Sequence, residues 1–313
     1  MAVAVSNPTP SSPADLRSSP RKRRKEALAK GFFKFNAWLS IGVSILIVAS
    51  VAGRAFSFAV EVDTSSLLEI GWFPRRGLYD VPTLIIGTMI VSLIAMAVAV
   101  PLGLGSAVYL SEYASPKVRR TVKPILEMLA GVPSVVLGYF AISFITPELL
   151  TRINSDVAFF NLLSAGIAVG VLTLPLVASV SEDAMRSVPM ALREAAYGVG
   201  ARKITVSTRV VFPAAISGIV AAGIIGLSRA IGETMVVAIA SGATGGSLRS
   251  WDIWSPGQTM TAAMAALGVG TDQVAGDTLA FQSLYFVGAL LFLMTFALNI
   301  FGDRLVRRIR ERY

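Results

Sequence analysis

The chain has 313 residues, of which 54% are hydrophobic and 15% are charged, and its formal net charge is +9. A soluble domain is about 45–50% apolar and about 25% charged, so this composition excludes a disordered chain and argues against an ordinary soluble protein. The absence of His and Cys excludes Ser-His-Asp and Cys-His catalysis, disulfides, and zinc sites built on thiolate or imidazole.

Residues 1–34 are predicted to form a disordered, basic cytoplasmic tail. Residues 1–20 contain five Ser and four Pro with few apolar residues, a composition typical of disorder. The basic run at 21–25 is interpreted as an anchor that faces anionic lipid headgroups. The alternative, nucleic-acid binding, lacks interleaved aromatic residues and any groove-reading motif.

Six apolar segments are long enough, or nearly so, to cross a membrane, which requires about 20 residues per helix. None alternates with a period of two, so we expect helices rather than a barrel. The segments are 35–53, 81–110, 128–147, 157–181, 210–228 (continuing to 241) and 278–302. The sequence therefore predicts an all-α membrane domain of six transmembrane helices over residues 35–303, followed by a basic cytoplasmic tail at 304–313.

Lys and Arg are concentrated in alternate connections. The two tails, the second-to-third connection and the fourth-to-fifth connection carry most of them. The other three connections hold only Arg75, Arg76, Arg152 and Arg249. Under the positive-inside rule this pattern places both termini in the cytoplasm. The stretch 260–269 of the last outer segment is too short to span, and we expect an interfacial or re-entrant helix there.

The connection at 182–213 contains a spaced pattern. Glu194, Ala195 and Ala196 are followed after three residues by Gly200, and Pro213 comes thirteen positions later. This spacing resembles the EAA loop of ABC importer permeases. The alternative interpretation is an ordinary amphipathic helix closed by glycine. In either case we expect a short helix near 189–198, with Gly200 in the left-handed conformation at its C′ position.

The resemblance implies that this helix is the coupling helix, which docks on an ATPase subunit and transmits its closure to the spans. Ala195 and Ala196 permit close approach, and Glu194, Arg193, Arg202 and Lys203 are expected to supply polar contacts at the rim. The chain has no GxxxxGK[ST] loop, so we expect ATP to be hydrolysed by a partner and not by this chain.

Arg229 and Glu233 lie within the fifth span, four positions apart and therefore on one face of a continuous helix. A charge at the bilayer centre costs about 2.5–3.5 kcal/mol on insertion scales, so two charges within a span indicate a structural or functional role. The small residues Gly218, Ala222 and Gly226 indicate that this side of the helix meets protein or water, not lipid.

Two interpretations of the charged pair remain open. It is either an ion pair that joins two subunits or part of an anion path, in which Arg229 binds an oxyanion with two parallel hydrogen bonds and Glu233 orients its guanidinium. Arg54, near the outer end of the first span, either extends toward the interface or contacts substrate.

Residues 229–235, 127–136 and 255–257 also resemble the PstC family of phosphate-specific ABC importer permeases, and this similarity extends from about residue 35 onward. Pro133, with Gly131 and Gly138, predicts a kink in the third span or local packing. The alternatives are a PstA-like sister subunit, a permease for sulfate or molybdate, a non-transporting receptor, and a membrane-embedded enzyme.

The resemblance implies the type I ABC importer permease fold in the plasma (inner) membrane of a prokaryote. It also implies a PstA-like sister permease, two PstB-like ATPase subunits and a PstS-like extracytoplasmic phosphate-binding protein as partners. We expect contact with membrane lipid, and no nucleic acid, cofactor or metal.

Overall fold

The computed structural model describes residues 20–68, 71–242, 246–268 and 278–309. The chain divides after Val51 into two compact units. The described part of the first unit is one helical segment, the larger part of α1 (Pro20–Glu61). Residues 20–34 are therefore helical, which corrects the predicted tail, because Arg, Lys, Glu and Ala there are strong helix formers that extend the apolar helix. Residues 1–19 lie outside the described residues.

The second unit begins within α1 and is otherwise built from a short hairpin and a set of helices. They are β1 (Trp72–Phe73), β2 (Leu78–Tyr79), α2 (Val81–Val108), α3 (Pro116–Ala130), α4 (Ser134–Phe140), α5 (Leu162–Arg186), α6 (Met190–Gly198), α7 (Lys203–Val206), α8 (Phe212–Ala214), α9 (Ile216–Ile231), α10 (Met235–Ala240), α11 (Met260–Gly268) and α12 (Leu279–Ile309). In the antiparallel hairpin Trp72 pairs with Tyr79 and Phe73 with Leu78. Single π-helical segments follow α2 (Tyr109–Tyr113), α4 (Ala141–Leu150) and α7 (Ser207–Val211).

The all-α membrane architecture is confirmed. Among the described residues, four helices are long and apolar enough to cross a membrane, and six spans result if each of two bent helix pairs counts as one. The four are Arg24–Glu61, Val81–Tyr113, Leu162–Arg186 and Leu279–Ile309. The last helix reaches Ile309, so residues 304–309 of the predicted tail are helical and continue α12.

The segments predicted as the third and fifth spans are each divided into two helices that meet at an angle. Pro116–Ala130 and Ser134–Leu150 meet at 87°, and Pro133 stands at the start of α4, so the predicted kink is confirmed. Proline lacks the amide that would continue α3, which therefore ends before it. In the fifth span Lys203–Ala214 and Ile216–Ile231 meet at 68°.

Small residues bring α2, α5 and α9 into close contact at the centre of the bundle. A β-carbon on Gly166 of α5 would lie 2.6 Å from the Cβ of Ile94 in α2. One on Gly218 of α9 would lie 2.4 Å from the Cβ of Ala184 in α5. The small-residue face of α9 therefore meets protein, as predicted. It continues to the buried Ala230 and not to Arg229, which is exposed.

The short apolar stretch in the last outer segment forms α11, which is inserted among other helices. Met260, Ala263 and Leu267 are buried and belong to one cluster with Leu84 of α2 and Val287 of α12. α11 is therefore held by protein contacts with α2 and α12, and its interfacial or re-entrant placement in the membrane stays a prediction. Because α2 runs from the hairpin toward α6, we call the two ends of the bundle the hairpin end and the α6 end.

Candidate functional site

Helix α6 is short and ends in a glycine-dependent cap. The amide of Gly200 donates to the carbonyl of Tyr197 at 2.9 Å, and the amide of Ala201 donates to the carbonyl of Ala196 at 3.1 Å. Gly200 has a φ of +81°. These two bonds form a Schellman motif, which requires a left-handed residue at C′. The predicted helix and the predicted conformation of Gly200 are confirmed.

The guanidinium of Arg193 holds α6 against the ends of two neighbouring helices. It lies 3.0 Å from the carboxylate of Glu112, beyond α2, and donates to the carbonyls of Met185 (2.9 Å) and Val188 (3.2 Å) near the end of α5. The side chain of Arg193 is only 12% exposed. The prediction that Arg193 contacts a partner at the rim is therefore wrong, because it lies on the same side of α6 as Ala196, which packs against the bundle.

The other side of α6 is open. Glu194 and Ala195 are exposed, and Tyr197 and Val199 are 45% and 86% exposed. In the part of the chain that the structure describes, the Glu194 carboxylate has no hydrogen-bond or ion-pair partner. An exposed helix that carries apolar side chains and a free carboxylate can serve as a contact surface for another protein.

The rest of the EAA-like segment packs under α6 as one apolar cluster. Val206 and Val211 are fully buried, and they belong to one cluster with Ala107 of α2 and Met185 of α5. Pro213 is exposed in α8, directly after the π-helical segment. A displacement of α6 must therefore act on the ends of α2 and α5 through close-packed side chains.

Arg229 and Glu233 do not lie on one continuous helix, and they form no ion pair with each other within the described residues. α9 ends at Ile231 and α10 begins only at Met235, because Gly232 is a poor helix former. The carboxylate of Glu233 instead accepts from the amide of Val236 at 3.4 Å. The ion pairs found among the described residues do not include one between Arg229 and Glu233.

Arg229 lines a cleft of about 320 Å³ between α3, α5 and α9. The lining residues are Glu127, Ala130, Leu172, Pro175, Leu176, Ser179 and Arg229. The exposed guanidinium lies in the last turn of α9, where a cation complements the helix dipole. A planar guanidinium at an otherwise mostly apolar wall can bind an oxyanion with two parallel hydrogen bonds.

A second, basic cleft of about 510 Å³ lies at the α6 end. It is lined by Leu110, Ser111, Ala114, Pro116, Arg119, Arg120, Lys123, Pro124, Glu127 and Arg186. Beside it the Glu182 side chain is fully buried and lies 2.7 Å from Arg119 and 2.6 Å from Lys123. This pairing joins the second-to-third connection to the end of α5, two regions predicted to share one side. The role of Glu182 was not predictable from the sequence, where it is only an acidic residue at the end of an apolar segment.

A buried carboxylate organises the hairpin end, and its role was also not predictable from the sequence. Asp80 accepts hydrogen bonds from the Gly71 amide (2.9 Å), the Thr83 hydroxyl (2.6 Å) and the Arg249 guanidinium (2.5 and 3.1 Å). Burial by itself raises the pKa of Asp80, but the bonds from Arg249, Gly71 and Thr83 together hold this pKa below its ordinary value. The ion pair fixes the loop that carries Arg249 to the start of α2.

Arg54 is bound within the chain. Its guanidinium donates to the hydroxyl of Tyr285 at 2.8 Å and lies 4.7 Å from the centre of the same ring. This contact with α12 favours a structural role for Arg54 over substrate contact. Within the described ranges, no group of three or more Asp or Glu side chains is arranged to hold a metal ion.

Comparison with known proteins gives a consistent result. Residues 99–312 match the family described as binding-protein-dependent transport system inner membrane component. The phosphate transport system permease protein PstC of Xylella fastidiosa is 30% identical over 92% of this chain and 94% of that protein. PstC 1 of Mycobacterium tuberculosis is 32% identical over 75% of each chain. The resemblance to PstC-type permeases is confirmed.

Solved structures show the same fold. A bacterial ABC transporter that imports alginate matches with a TM-score of 0.63 at 15% identity, over 92% of this chain and all of that chain. The MetNI methionine ABC transporter in an inward-facing conformation matches with a TM-score of 0.52 at 22% identity, over 74% of this chain and 94% of that chain. The predicted type I importer permease fold is confirmed.

Proposed function

Because this chain belongs to the family of binding-protein-dependent transport system inner membrane components, we propose that it is a permease subunit of an ATP-driven importer of inorganic phosphate. The assignment of phosphate as the substrate rests on the similarity to PstC proteins over more than nine-tenths of the chain. The chain is a transport component, and ATP hydrolysis belongs to a partner subunit.

The exposed side of α6 is the proposed docking surface for the ATPase. It combines a free carboxylate on Glu194, the small residue Ala195 and the exposed apolar side chains of Tyr197 and Val199. Support comes from the buried ion pair of Arg193 and Glu112, which gives this surface a rigid attachment to α2 and α5. Closure of the ATPase would thus be transmitted to the helices that line the Arg229 cleft.

Arg229 is the proposed substrate contact in the translocation path. Its guanidinium is exposed in a cleft large enough for a tetrahedral oxyanion, and it has no acidic partner among the described residues. Glu233 contributes to the same path by capping α10 next to the break after α9. A PstA-like sister permease would complete the path from the other side.

The proposed orientation follows the distribution of Lys and Arg. The α6 end carries Arg119, Arg120, Lys123 and Arg186 around the basic cleft and would face the cytoplasm with both termini. The hairpin end would then face an extracytoplasmic phosphate-binding protein. Its loop is ordered by the Asp80–Arg249 pair and exposes Trp251.

The test is uptake of labelled phosphate by a strain that lacks only this chain. The wild-type chain should restore uptake, and Gly200→Asp should restore neither uptake nor the stimulation of ATPase activity by loaded binding protein. Gly198→Ala is the matched control, since a β-carbon at Gly198 meets nothing within 4 Å and the residue is helical. Failure of the wild-type chain to restore uptake contradicts the phosphate assignment, and normal coupling in Gly200→Asp contradicts the docking assignment.

A further inference from the structure

We propose that Glu127 is a specificity-determining residue, which faces the transported anion beside Arg229 and selects an oxyanion that still carries a proton. This inference rests on the proposed function and names a property of the same path. In the sequence Glu127 is only the first residue of the 127–136 segment and carries no predicted role.

The geometry places Glu127 between two clefts. It lines the Arg229 cleft of about 320 Å³ and also the basic cleft of about 510 Å³ at the α6 end. Its position in the last turn of α3 is set by the break at Gly131 and Pro133, which turns the following helix by 87°. An anion that moves from Arg229 toward the basic cleft therefore passes the Glu127 carboxylate.

The carboxylate of Glu127 is available for such a contact. It is exposed, and within the described part of the chain it has no hydrogen-bond or ion-pair partner. In contrast, Glu182 pairs with Arg119 and Lys123, and Glu233 accepts from the Val236 amide.

The chemistry of a free carboxylate distinguishes phosphate from sulfate. An ionised carboxylate only accepts hydrogen bonds. Phosphate near neutral pH keeps at least one P–OH group and can donate to it, while Arg229 binds the remaining oxygens. Sulfate has no proton to donate, so its only interaction with the Glu127 carboxylate is the repulsion between two negative charges. Glu127 therefore selects phosphate by making an unfavourable contact with sulfate.

The experiment measures equilibrium binding of labelled phosphate and of labelled sulfate to the purified permease–ATPase complex in detergent, without binding protein. The wild-type complex should prefer phosphate. Glu127→Gln removes the charge and adds an amide donor that sulfate can use, so the preference should fall roughly ten- to hundredfold. Glu127→Asp should retain most of the preference, because it keeps the acceptor and the charge.

Glu148→Gln is the matched control, since Glu148 is an exposed acid that pairs with Arg152 and lines neither cleft. Glu127→Ala also removes the acceptor and should lower the preference if the Gln variant does not assemble. An unchanged preference in the Gln and Ala variants overturns the inference, as does a wild-type complex that binds sulfate as well as phosphate or binds neither. If the wild-type chain nevertheless restores phosphate uptake in cells, the proposed function stands and only the role of Glu127 is lost.

Discussion

The guanidinium of Arg193 and the carboxylate of Glu112 lie 3.0 Å apart and connect parts of the chain that are 81 residues apart. Both side chains are largely buried, at 12% and 6% exposure, so each charge depends on the other for compensation. This pair attaches the exposed helix α6 to the end of α2.

Arg193→Met should destabilise the protein by about 3–5 kcal/mol, because it leaves the buried charge of Glu112 without its cationic partner and with only the hydrogen bond from the Ser111 hydroxyl. Phosphate uptake and the thermal unfolding midpoint of the purified complex should both fall. The double variant Arg193→Met, Glu112→Met should recover much of the stability, which a double-mutant cycle measures. Additive losses in the double variant would show that the two charges do not interact.

Gly200→Ala should cost about 1–2 kcal/mol, and the cost should come from the backbone alone. The residue has a φ of +81°, where L side chains are strained, yet a new β-carbon would meet nothing within 4 Å. Gly198→Ala, two positions earlier within α6, should be neutral or stabilising by up to about 1 kcal/mol. The measurement is the thermal unfolding midpoint of each variant. Equal changes in the two midpoints would contradict the capping role of Gly200.

The Asp80–Arg249 pair should make the stability of the hairpin end depend on pH. Because the pKa of folded Asp80 lies below its unfolded value of about 3.8, the folded state binds fewer protons than the unfolded state in this range. The stabilisation is therefore complete about one pH unit above 3.8 and is lost progressively as pH falls through 3.8 toward the lowered folded pKa.

Asp80→Asn should remove this dependence and lower stability at pH 7 by roughly 1.5–3 kcal/mol, the contribution of hydrogen bonds to a charged group. The measurement is the unfolding midpoint from pH 7 to pH 3. Asp156→Asn, at an exposed loop position, is the control and should leave the profile unchanged. A wild-type profile that is flat below pH 4 would contradict the role of Asp80.

Arg229→Gln should assemble with its partners but reduce phosphate uptake at least tenfold, because the amide lacks the charge and the two-pronged donor geometry of Arg. Arg229→Lys should be partly active at best, since it keeps only the charge. Arg152→Gln, which removes another exposed arginine outside the Arg229 cleft, should transport normally. Normal uptake by Arg229→Gln would remove Arg229 from the path.

Helix breaks were only partly predictable from the sequence. The kink at Pro133 was expected because proline cannot continue a hydrogen-bonded helix. The end of α9 at Ile231 was not, because one glycine such as Gly232 only weakens a helix, and many spans tolerate it. That single break leaves Glu233 outside α9, so a spacing of four does not place it on one helix face with Arg229.

The sequence by itself determined that the protein is an all-α membrane protein and located the EAA-like segment with its left-handed Gly200, because the length of an apolar segment and glycine capping are local properties of the chain. Only the tertiary structure decided which charges meet. Glu112 with Arg193, Glu182 with Lys123 and Asp80 with Arg249 are distant in sequence, and each pair forms only after the helix breaks and close-packed small residues have set the positions of the helices.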